Sequence, residues 1–266
     1  GVVVQLLENF RLNDDLGAFV ERIYAKKFQV QNSLKTEIGE SLQLWLDTEE
    51  ADDPIMEDTR LFLLDLAKAM LPKGRPLKLL PPRADTGNRL ASLALIRVKA
   101  SGSSMLPYES HVKAEARLAA ALVHWLRESF GSEETIFVAC PHRIQRSAVR
   151  QAILAPEGDV DAMAAALEAL HVSDRGLRID TVERLQSSEA SFVIFLMAHT
   201  HGPSLSNHLE FLLSRRRLNV GISRAKALCI MVSSRGVLQP SLDVLAKEES
   251  RLGLEFLRGY EDSAWT

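Results

Sequence analysis

The sequence predicts an α/β domain built on a parallel sheet with helices on both faces. Three observations lead there. From Thr135 onward, short apolar runs alternate with amphipathic stretches of helical length, the pattern of a repeated strand and crossover helix. The runs TIFVACP, ASFVIFLMA and ALCIMVSS lack the polar and apolar alternation of a half-exposed sheet, so both faces of these strands are buried. The chain has 266 residues, 46% hydrophobic and 25% charged, enough for a substantial core of ordinary globular composition.

The elements follow in order. Val2 to Leu7 reads as a buried strand, and Asn13 or Asp14 offers an N-cap for a helix carrying Leu16, Phe19 and Ile23 on one face. A polar stretch runs from Lys26 to Asp53. Met56 to Leu71 has helical apolar spacing and stops at the Pro72, Gly74, Pro76 punctuation. Residues 26–90 lack strand and helix alternation, so they are expected to form an insertion or helical subdomain within a domain spanning 1–235. Leu93 to Val98 is a strand, SGSSMLPYES a turn-rich loop, and His111 to Phe130 a long amphipathic helix. Then come the strand TIFVACP, helices over His142 to Leu154 and Asp159 to Leu170, the short strand RID, a brief helix VERLQ and the strand ASFVIFLMA. The tail, 236–266, reads as amphipathic helix packed on the sheet edge.

In open parallel sheets ligands collect at the carboxyl ends of strands. Phe10-Arg11, Pro141-His142-Arg143 and Thr181 to Glu189 all read as segments following strands. The run RRRLNVGISRAK, Arg215 to Lys226, leads into ALCIMVSS, and its helix is expected to end near the same crevice. Arginine is favoured over lysine where a planar, permanently charged fork must grip phosphate oxygens. The formal net charge is −3, which excludes bulk attraction to polyanions. Any phosphate site must come from local clustering.

Each segment has its own chemistry. An aromatic ring beside a guanidinium, as in Phe10-Arg11, can stack on a base while contacting a phosphate. Thr181 starts a helical turn directly after a strand, where a hydroxyl and open backbone N–H groups can hold a phosphate. Pro141, His142 and Gln145 lie where a loop enters a helix and can position a nucleic-acid backbone without reading its sequence. Cys140 and Cys229 sit in apolar runs with no CxxC pattern and read as buried reduced thiols. His199, His201 and His208 have no cysteine or acidic partner at ligand spacing, so they are read as polar-loop residues and no metal site is expected. Asp52-Asp53 reads as a solvated turn and Trp125 as core. No run is long and apolar enough for a membrane span and no signal peptide is evident, so the cytoplasm, nucleoid or nucleus is the expected location.

Taken together, QLLENFRLNDDL, FVACPHRIQ, IDTVERLQSSEASFVIF and RRRLNVGISRAK resemble, in order and spacing, the motifs of superfamily 1 DNA and RNA helicases. The resemblance covers about three-quarters of the chain and is closest to the branch of the nonsense-mediated-decay helicases and their replication relatives. It implies a RecA-like, P-loop NTPase-type second motor domain, with ATP and Mg2+ as cofactors and single-stranded DNA or RNA as partner. By that resemblance Phe10 packs on adenine and Arg11 reaches the γ-phosphate. Glu189 accepts from the ribose hydroxyls, Gln186 belongs to the same site, and Arg224 is the arginine finger. Pro141, His142 and Thr181 touch the strand. A finger of this kind contributes roughly 10³ to 10⁵ in rate.

One position departs from the family pattern. Ser187 stands where the family has glycine after the glutamine, and its Cβ crowds a close backbone approach. That favours an alternative in which the domain binds nucleic acid or protein without hydrolysis. No GxxxxGK[ST] loop occurs, and no apolar strand ends in Asp-Glu to hold magnesium. The chain is therefore expected to be the second domain alone, joined in a longer protein to an N-terminal RecA-like domain that carries those elements.

Overall fold

The structure is a computed structural model and describes residues 8–13, 15–17, 19, 29–32, 35–71, 90–99, 108–132, 134–154, 176–185, 188–197 and 205–266. The strand expected over Val2 to Leu7 and the helix over Asp159 to Leu170 lie outside them. So do Gln186, Ser187, His199 and His201.

Six strands form one all-parallel sheet. In chain order they are β3 (Leu90–Val98), β4 (Ile136–Cys140), β5 (Leu177–Thr181), β6 (Ala190–Met197), β7 (Ala225–Ser234) and β8 (Ala264–Trp265), and in space β5-β4-β6-β7-β3-β8. A separate parallel pair joins β1 (Glu8–Asn13) to β2 (Gln29–Asn32), with β1 against β7. Phe10 and Arg11 thus lie inside a strand, not after one, and the structure describes their backbone alone. The polar run ENFRLN pairs through its backbone, which composition does not announce.

Side chains alternate across the sheet and make two cores. Val138, Ile194, Ile230 and Val232 face one side with helices α1 (Lys35–Leu46), α2 (Pro54–Met70), α3 (Tyr108–Phe130) and α4 (Arg143–Leu154). Phe137, Val193, Phe195 and Met231 face the other with α5 (Leu205–Leu212), α6 (Arg215–Ile222) and α8 (Glu248–Ser263). A four-residue helix, α7 (Arg235–Leu238), follows β7. The predicted fold class is what the chain adopts.

Local chemistry explains the helices. Asp53 caps α2, its carboxylate accepting from the Ile55 and Met56 N–H groups at 3.0 Å, with Pro54 at the first helical position. That aspartate also pairs with Arg117 of α3 at 2.6 Å, so Asp53 is a cap and a strut, more than a solvated turn. Leu63, Leu66, Ala67 and Met70 bury the inner face of α2 at helical spacing. Trp125 is core, 3% exposed, and its indole N–H donates to Met56 O at 2.9 Å. Burial pushes both cysteine thiols up, Cys229 to about 12, so neither is a nucleophile at neutral pH.

Two glycines set how closely the second layer packs. A Cβ on Gly253 of α8 would lie 1.5 Å from Leu213 O, at the junction of α5 and α6. One on Gly221 of α6 would meet the Phe195 ring of β6 at 2.6 Å. Both helices sit where only hydrogen fits. His208 falls within α5, where a polar loop was expected.

Candidate functional site

Strand direction sorts the candidate residues onto two opposite rims of the sheet. Cys140 pairs with Thr181, so Pro141-His142 and Thr181-Val182 leave adjacent strands side by side at the carboxyl rim. Ala190 pairs with Ala225 at the start of their strands, so Glu189 and Arg224 sit together at the amino rim. Arg224 O accepts from the Ala190 N–H at 3.0 Å and ties the beginnings of β6 and β7 together. The expected convergence of all segments at the carboxyl ends is therefore corrected. In a parallel sheet a residue immediately before a strand must lie at its amino end, and both Glu189 and Arg224 are such residues. The five residues of β4 span about 17 Å at roughly 3.3 Å per residue. A single phosphate group cannot touch both rims.

At the amino rim, Glu189 faces Lys226 at 3.9 Å, and the Arg224 guanidinium donates to Ser223 Oγ at 3.2 Å. The segment after β1 reaches the same end of the sheet, where Asp15 Oδ2 accepts from the Ser92 N–H near the start of β3 at 2.9 Å. The rim therefore gathers guanidinium and ammonium groups that suit phosphates and a carboxylate that suits ribose hydroxyls. This donor set fits one flank of a nucleotide. Among the described residues no group of three or more His, Cys, Asp or Glu side chains could hold a metal ion.

The carboxyl rim is a connected network. His142 immediately precedes α4, and Gln145 three residues on, 1% exposed, reaches back to accept from the His142 N–H at 3.1 Å, one half of a capping box. Gln145 Nε2 in turn donates to the buried Glu115 of α3 at 2.7 Å. The His142 ring stacks on Phe211 of α5 at 4.9 Å, and the Arg217 guanidinium lies 3.6 Å from the centre of that same ring. Arg217 Nε donates to Glu183 at 2.7 Å and its Nη1 to Phe211 O at 3.3 Å. A cleft of about 340 Å³ opens beside these groups, lined by Glu183, Ser214, Arg216, Arg217 and Glu249 among others.

Both carboxylates flanking Thr181 are neutralised. Burial raises the Asp180 pKa, but the Thr181 N–H at 2.8 Å, Arg146 at 3.0 Å and Arg184 together hold it below the usual value. Burial likewise raises that of Glu183, and donation from the Arg217 guanidinium outweighs it and holds the carboxyl below its usual value. Arg178 of β5 staples the segment between the rims, donating to Ser188 Oγ at 2.6 Å and Arg184 O at 2.7 Å. Sequence reasoning missed Phe211, Glu183 and Arg178. Phe211 lies in no recognisable motif, whereas Glu183 and Arg178 adjoin Thr181 and could have been found from that alone.

An all-parallel sheet covered by helices on both faces, with motif segments at both rims, is that of a helicase-like domain of the RecA-like, P-loop NTPase fold. Residues 1–236 match the AAA_12 family, an AAA domain, and the chain belongs to that family, a superfamily 1 helicase-like group. Over 64 residues the chain is 39% identical to the Saccharomyces cerevisiae protein named "Putative ATP-dependent RNA helicase ECM32". That stretch is 24% of this chain and 5% of the yeast protein. No described helix is long and apolar enough to cross a membrane.

Proposed function

We propose that this chain is the C-terminal motor domain of an ATP-dependent superfamily 1 helicase that translocates on single-stranded DNA or RNA. The observation that carries the reading is the sorting of residues between rims. Those that the helicase resemblance assigns to ATP, namely Glu189 and Arg224 with the backbone of Phe10 and Arg11 leading to the same end, lie at the amino rim. Those assigned to the strand, Pro141, His142 and Thr181, lie at the carboxyl rim. Gln186 belongs with the first set by the same resemblance. An N-terminal RecA-like domain supplies the phosphate loop and most of the Mg2+ coordination. When ATP is held between the two domains, Arg224 stabilises charge on the transferred phosphoryl group and Arg11 favours the closed state.

Mechanically, closure and reopening at the amino rim moves the carboxyl rim along the strand. Helix α6 carries Arg217 in its first turn and leads into Arg224 just before β7, so one short segment of chain links the two sets of residues. A reading as a binding module without hydrolysis rests on Ser187 alone. Steady-state ATPase assays discriminate. The isolated chain is expected to turn over no ATP, and in the protein that joins it to its phosphate-holding domain Arg224→Ala lowers kcat with little change in nucleotide affinity. An unchanged kcat removes Arg224 from the finger role, and turnover by the chain alone, abolished by Arg224→Ala, overturns the half-site reading.

A further inference from the structure

We infer that Arg217 is a positioning residue whose task is to cancel the charge of Glu183, so that a nucleic-acid phosphate can approach the Thr181 hydroxyl. This rests on the reading of the carboxyl rim as the strand-binding surface. A phosphate meeting Thr181 encounters two carboxylates at once, Asp180 before it and Glu183 two residues after. Asp180 carries Arg146 at 3.0 Å and Arg184 at 3.9 Å. Glu183 lies on the solvent side, its side chain 43% exposed, and receives the Arg217 Nε at 2.7 Å. An exposed carboxylate left bare at this point repels the phosphodiester backbone.

The geometry of Arg217 favours neutralisation over direct grip. Its Nε is spent on Glu183 and Nη1 on Phe211 O, while its plane rests 3.6 Å from the Phe211 ring centre. Phe211 is itself stacked on His142, so one guanidinium connects His142 to Glu183, two residues beyond Thr181. Lysine could match the charge but not the fork and the stack together. The sequence could not assign this task, because Arg215, Arg216 and Arg217 are chemically identical and Arg215 and Arg216 are exposed.

Fluorescence polarisation of labelled oligo(dT) and oligo(U) with the chain tests it, with thermal melts alongside to confirm folding. Arg217→Met is expected to weaken binding roughly tenfold, the size of one lost charge contact. Glu183→Gln alone should leave affinity equal or higher, and the double variant should return to wild-type affinity with the wild-type salt dependence. A double variant as weak as Arg217→Met, with a shallower salt slope, would mean that Arg217 grips phosphate directly and sinks the inference. Weaker binding by Glu183→Gln, a variant of unchanged size, would also overturn it. If the wild type binds neither oligonucleotide, or Thr181→Val binds as well as wild type, the reading of the rim fails, an outcome distinct from failure of the Arg217 assignment.

Discussion

The two rims of the sheet differ in how they are built. At the carboxyl rim, residues from α3, α4, α5 and α6, with His142 after β4 and Glu183 after β5, hold one another through contacts of 2.7 to 3.3 Å and two ring stacks. At the amino rim, Glu189 and Arg224 come from the starts of two neighbouring strands, and the ion pair that Glu189 makes with Lys226 is 3.9 Å long. One rim is a surface assembled within the chain. The other is a line of strand beginnings whose arrangement the backbone sets. The proposed division, a strand surface at one rim and one flank of a nucleotide at the other, rests on that contrast.

Perturbing each rim separately sharpens the contrast. Arg224→Ala should give the largest effect, about 10³ in kcat of the joined protein, or about 4 kcal/mol of transition-state stabilisation. Oligonucleotide affinity should stay unchanged, and a parallel loss of both would mean that the rims are not separable. Gly253→Ala should damage both together, because its new Cβ would sit 1.5 Å from Leu213 O and push α8 away from the α5–α6 junction. A cost of about 3 kcal/mol in urea unfolding is expected, and a variant of wild-type stability would contradict that packing.

Smaller changes probe the carboxyl rim alone. The folded-state pKa of Asp180 is lowered, so the stability it contributes is present above its ordinary value near 3.8 and is lost as pH falls through the folded value. Asp180→Asn should therefore cost about 1 to 2 kcal/mol at neutral pH, and the difference should shrink towards zero in strong acid. A gap that is constant with pH would place the cost in packing. Thr181→Val should weaken oligonucleotide binding several-fold, about 1 kcal/mol, and leave ATP affinity untouched in the joined protein. This mirrors the Arg224 result.

Much of the fold could be read from the chain because its signals are local. The long apolar runs of β6 and β7 suit only buried strands, and the spacing of Leu63, Leu66 and Met70 suits only a helix face. Less of the site could be read. Glu189 and Arg224 were expected beside His142 because both adjoin strands, but adjoining a strand does not say at which end, and these two precede theirs. A phenylalanine in a short amphipathic helix, such as Phe211, carries no sign that its ring will meet an imidazole and a guanidinium from elsewhere in the chain. Asp53 looks like a surface acid, and only the helix that follows it reveals the cap.

The short strand β8 has an effect on the chain's behaviour in company. Helix α8 lies on one face of the sheet, with Tyr260 buried and its hydroxyl 3.0 and 2.9 Å from the carbonyls of Ala94 and Cys229. Ala264 and Trp265 then run along β3, and the Trp265 ring meets Phe62 of α2 on the opposite face at 5.0 Å. The polypeptide thus hems the sheet, folding over its border from one layer to the other. A nine-residue strand such as β3, left open on that side, is a template for pairing with another molecule. Ala264 and Trp265 blunt it, guarding the sheet edge against pairing with a second molecule.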